Sequence, residues 1–143
     1  MKLGSGLLAL TVLFSAFILL PGAHADEINQ ATTLTFSQPI EVPGHLLMPG
    51  TYTFVLVDGS DREIVRIFSE DRRLVATLLT IPVQRAKSSD GPTVVLADQG
   101  RTAPEALVSW FYSAATQGHQ FVYEKAKERE LASAKHDTII AGE

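Results

Sequence analysis

Cysteine is absent from this 143-residue chain, which excludes disulfides, thiolate metal sites, a Cys nucleophile and a lipidated N-terminal Cys. Whatever stability the fold has must come from packing. Positive charge is scarce as well: 12 Lys and Arg stand against 16 Asp and Glu, a net charge of -4 with a pI near 5.5. Neutralising phosphates needs clustered Lys and Arg, so a nucleic-acid partner is excluded. Recognisable catalytic motifs are missing too. There is no HxH or HExxH spacing for zinc, no G-x-S-x-G elbow and no glycine-rich phosphate cradle. The acidic stretch around Asp58 and Asp61 fails the EF-hand template, because Arg62 stands where an oxygen ligand is needed. No cofactor and no metal are expected.

What is present begins with a leader. Lys2 supplies a small positive region, Leu7 to Leu20 is apolar apart from Thr11 and Ser15, and Ala23-His24-Ala25 is an A-x-A cleavage site. Residues 1–25 therefore read as a secretory signal peptide, and the expected location is periplasmic or extracellular. The apolar stretch approaches membrane-spanning length, but Pro21-Gly22 ends the helix where processing needs extended backbone, so membrane contact is expected only before cleavage.

Past residue 25 the chain changes grammar, to short apolar runs cut by Gly, Pro, Asp and Ser. Leu34 and Phe36 alternate with Thr33 and Thr35, and Tyr52, Phe54 and Leu56 alternate with Thr53, Val55 and Val57. Both sets of the second run are largely apolar, as in a strand covered on both sides. Pro43-Gly44 and Pro49-Gly50 are turn signals, the second fitting a type II turn. Leu74 to Ile81 is the longest apolar run, ending at Pro82, with both alternating sets again rich in Val, Leu, Ile and Thr. Gln84 to Pro92 is polar and turn-rich. Thr102 and Glu105 form a capping-box pattern, which predicts a helical turn through Ala106, Leu107 and Val108. Gly118-His119-Gln120 reads as a break before a last strand, Phe121 to Tyr123. From Glu124 to Lys135 helix formers and charges dominate, with a thin apolar stripe of Ala126, Leu131 and Ala134. His136 to Glu143 reads as a disordered tail.

These runs predict a mainly β fold. The expected form is an antiparallel β-sandwich of about seven strands, immunoglobulin-like or a partial barrel, over residues 26–123, followed by a C-terminal helix and flexible tail over 124–143.

Candidate functional residues are few. Trp110, Tyr112 and Tyr123 can be read as an aromatic platform for a sugar ring or a peptide; the plainer reading, that Trp110 plugs the core, is the stronger. Ser109 with His119 and an Asp can be drawn as a triad, and Asp58, Asp61 and Glu63 as paired carboxylates, but hairpin loops collect Asp for turn geometry. His45 and His119 converging with a carboxylate is the remaining route to a metal.

The run Leu34 to Gly44 (LTFSQPIEVPG), then Leu47 to Phe54 (LMPGTYTF), then Trp110-Phe111-Tyr112 and Phe121-Val122-Tyr123, resembles a group of small exported bacterial proteins with no assigned activity. That resemblance implies export but brings no catalytic residues. More loosely, the Pro-Gly-Thr-Tyr junction is similar to those of immunoglobulin-like modules, an analogy of fold alone. The expected role is a non-enzymatic binding or structural module of the cell envelope or extracellular space, with a protein or glycan partner. Two alternatives stand beside it. One is an exported hydrolase or sugar-active enzyme using scattered Asp, Glu and His; the other is an accessory subunit pairing through the edge Thr32 to Val42.

Overall fold

A computed structural model of the chain describes residues 31–57 and 63–140. The proposed leader, and the loop residues Asp58 and Asp61, lie outside the described residues. Among the described residues, ten strands and one helix follow in order: β1 (Ala31–Phe36), β2 (Ile40–Val42), β3 (His45–Leu47), β4 (Gly50–Val57), β5 (Glu63–Ser69), β6 (Leu74–Gln84), β7 (Thr93–Ala97), β8 (Glu105–Phe111), β9 (Gln117–Phe121), α1 (Lys125–Ser133) and β10 (His136–Ile140).

The chain is mainly β, as its alternation predicts. β1-β4-β5-β6-β9-β8-β2-β3 form one connected path, and β7 joins β8 to β10. Every pairing is antiparallel except β2 with β8, where Ile40 faces Glu105 and Glu41 faces Ala106 in parallel. The sheet is therefore mixed rather than purely antiparallel. β8 serves two neighbours on the same edge, β9 beside Ser109–Phe111 and β2 beside Glu105 and Ala106. The sheet divides there, and the inner faces close on a single core in a sandwich-like arrangement.

That core is built from inward positions of most strands: Leu34, Val42, Phe54, Ile67, Leu96 and Trp110 among others. Phe54 is its hub, meeting Trp110 edge-on at 5.7 Å and Phe121 edge-on at 6.3 Å, an arrangement favoured by the ring quadrupoles.

Several local expectations are corrected. Residues 106–108 are strand, not helix: Ala106 and Leu107 are fully buried against β7 and β2, and this burial outweighs the capping pattern. The tail is ordered in part, because β10 completes a five-residue ladder on β7. Pro82 does not end its strand. The Val122 N–H donates to the Leu79 carbonyl at 3.0 Å, so hydrogen-bonded positions along this ladder fall on odd residues of β6. The Pro82 nitrogen then faces away from β9, so the β6–β9 ladder loses no bond there. Gly118 is not a break either; it sits inside β9 opposite Phe111. A Cβ there would run into the Phe111 ring and lie 2.5 Å from the Trp110 carbonyl oxygen, so the position needs glycine for space. The left-handed glycine of a turn is Gly44, at φ 73° between β2 and β3, whereas Gly50 enters β4 nearly extended at φ 159°.

α1 buries one side chain, Leu131, which packs on Ala97 and Ala106. Polar contacts fix the near end: Lys127 Nζ lies 3.3 Å from Glu41 Oε1 and donates to Gln99 Oε1.

Candidate ligand cleft

Period-two alternation gives the strands β6, β9 and β8 two faces. Thr80, Phe121, His119 and Trp110 point inward; Ile81, Gln120 and Ser109 point outward, in register with one another. The outward face is where the helix stands off. Because α1 touches the sheet mainly through Leu131, a cleft of about 600 Å³ remains between them. Its walls are aliphatic: Ile81 and Val83 from β6, Val95 from β7, Val108 from β8, and Leu131 and Ala132 from α1.

A bulge widens the floor. Val95 pairs with Ser109 and Leu96 with Leu107, which leaves Val108 as an extra residue on β8. In such a bulge two consecutive side chains oppose one partner, and both Val108 and Ser109 line the cleft. Polar groups also converge there. Ser109 and Gln120 lie in the floor, while Arg129 and His136 come from the helix side, along with Glu128. His136 Nε2–H donates to the Leu131 carbonyl at 2.6 Å, which ties β10 to the end of α1.

The three aromatic candidates do not form one platform. Trp110 is 0% exposed, so it has no free face to offer, and the core reading of this residue is the correct one. Its indole N–H has no acceptor among the described residues. Tyr112 packs against it at 4.7 Å. Tyr123 lines the cleft instead, and its hydroxyl donates to the Leu107 carbonyl at 2.8 Å and contacts the Glu41 carbonyl at 3.2 Å. Burial, and then the nearby Glu41 carboxylate, push its phenol pKa well above the ordinary tyrosine value.

The Ser109–His119 triad fails on geometry. His119 pairs across from Trp110 and faces inward, 5% exposed, with its Nδ1–H donating to Glu63 Oε2. Ser109 is one residue from Trp110 on β8 and faces the opposite side, so the two cannot share a proton. Tyr112, edge-on to His119 at 5.5 Å, is the other hydroxyl nearby. Burial and then the Glu63 carboxylate raise its pKa to about 12, which keeps it protonated and non-nucleophilic near neutral pH. His45 is exposed on β3, at the edge of the sheet. Among the described residues no group of three or more His, Asp or Glu is placed to hold a metal ion, and no helix is long and apolar enough to cross a membrane.

The cleft went unnoticed in the sequence, although one signal was legible. Leu79 and Ile81 make the outward positions of β6 around them as apolar as its inward ones, the mark of a strand with something on both sides. Comparisons with protein-family models, curated proteins and solved structures found no match.

Proposed function

We propose that this chain is an exported, non-enzymatic binding module that holds a small apolar ligand between α1 and the outer face of β6, β9 and β8. One observation carries the reading: the aliphatic cleft of about 600 Å³ with a few convergent polar groups, which matches the size and lining of small-molecule sites. The side chains of catalytic type support it by their placement, since the His119–Glu63 pair and Ser109 face opposite sides of the sheet. Export is supported by the leader pattern of residues 1–25.

The test is a titration with N-phenylnaphthylamine, whose fluorescence rises in an apolar site. Saturable enhancement at one probe per chain is expected. Ala132→Trp, at an exposed position on the cleft wall, fills the space and abolishes the signal while leaving the melting temperature unchanged. Enhancement that survives this substitution, or no enhancement in the unaltered protein, overturns the reading.

A further inference from the structure

The cleft does not end at the helix. Ile81 and Val83 line it from β6, and two residues before Ile81 the outward Leu79 starts an aliphatic row bordered by the polar pair Arg66 and Thr77, where an open sheet face is normally polar throughout. Val57 pairs with Ile64, and Ile64 with Leu79, so three strands carry one aliphatic row. Leu79 is 42% and Ile81 49% exposed. Contiguous apolar surface of this kind marks a binding site, and here it adjoins the polar groups of the cleft.

We infer that the ligand is a long, single-chain aliphatic acid, its carboxylate in the cleft and its chain laid across the row Ile81, Leu79, Ile64 and Val57; this rests on the cleft being the binding site. The head is assigned by charge and donors. Arg129 makes no ion pair among the described residues, and it lines the cleft together with Ser109, Gln120 and the Glu128 carboxylate. The guanidinium, the hydroxyl and the amide suit a carboxylate. The tail is assigned by span. From Gln120 on β9 to Val57 on β4 is three inter-strand steps, roughly 14 Å at about 4.8 Å each. One leaflet of a bilayer's hydrocarbon core is about 15 Å thick, the reach of one lipid chain. Aliphatic walls with few ring faces favour such a flexible chain over a sugar or a flat aromatic.

The experiment is calorimetric titration of the full-length protein with straight-chain acids from octanoate to palmitate, below their micelle concentrations, and with the matched alcohols. Affinity is expected to tighten up to three- to fourfold per added methylene, the equivalent of about 0.8 kcal/mol for burying one CH₂. Leu79→Asp, at an exposed position, is expected to weaken palmitate at least tenfold while sparing octanoate. Arg129→Gln is expected to weaken the acids about tenfold and leave the alcohols unchanged. If N-phenylnaphthylamine binds but affinity ignores chain length, the inference is overturned and the cleft reading stands. Failure of probe and acids alike sinks both. A concentration-dependent dimer that Leu79→Asp converts to monomer also overturns it, since the row would then be an interface between copies.

Discussion

The two faces of β6, β9 and β8 are made by alternate residues of the same strands, yet they solve different problems. Inward, Thr80, Phe121, His119 and Trp110 are all buried, at most 5% exposed, and each polar atom with a partner finds it close by: the Thr80 hydroxyl donates to the Glu63 carbonyl at 3.1 Å and His119 donates to the Glu63 side chain. Outward, Ile81 and Leu79 are as apolar as their inward neighbours but remain about half exposed. Close packing accounts for the first face, because an interior tolerates few gaps; the Trp110 indole N–H, without an acceptor among the described residues, is held there by its ring contacts. Packing does not account for the second. Aliphatic side chains left facing solvent beside a half-roofed cleft are better explained by what they receive than by what they stabilise.

If the inner face is the true core, truncating Trp110 should have the largest effect. Trp110→Ala is expected to cost about 3–5 kcal/mol, as for other large aromatic deletions, read from the urea midpoint with an unchanged slope. A loss under about 1 kcal/mol would mean that the inner face is not what holds the sheets together.

A pH titration sharpens the contrast. The phenol of Tyr112 is raised from 10.0 to about 12 by burial and then by Glu63. A raised folded-state value means that stability is fully present below pH 10 and is lost as pH climbs through about 12, because the unfolded chain gives up the proton first. Relative to Tyr112→Phe, the unaltered protein is therefore expected to lose stability across this window, with phenolate absorbance developing near pH 12. Equal pH profiles for the two proteins would place Tyr112 in a solvated setting.

The smallest effect belongs to the outer face. Leu79→Thr is expected to change stability by less than about 0.5 kcal/mol, the range for exposed substitutions, because β-branched Thr keeps the strand preference. A cost above about 2 kcal/mol in thermal unfolding would show that this row packs against part of the molecule and is not open to a ligand.

Much of the fold was legible in the residues, and the failures share a cause. Leu34 with Phe36, and Tyr52 with Phe54 and Leu56, alternate cleanly enough to declare their strands and inner faces. Ala106–Val108 misled because Thr102 and Glu105 mimic a helix start, whereas burial between β7 and β2 fixes extended backbone. His136–Ile140 looked like a tail because its ladder partner, Thr93–Ala97, lies some forty residues earlier in the chain. Gly118 read as punctuation because the Phe111 ring that forbids a side chain there belongs to the neighbouring strand.

Sequence alone determined the mainly β class of the fold and the absence of thiol chemistry, since the first follows from local periodicity and the second from composition. Only the tertiary structure decided that Trp110 is core, that Ser109 and His119 face opposite sides, and that Leu131 props α1 away from an aliphatic floor. Those facts depend on register between strands and on a bulge at Val108, and register is set by pairings between distant segments, which no window along the chain contains.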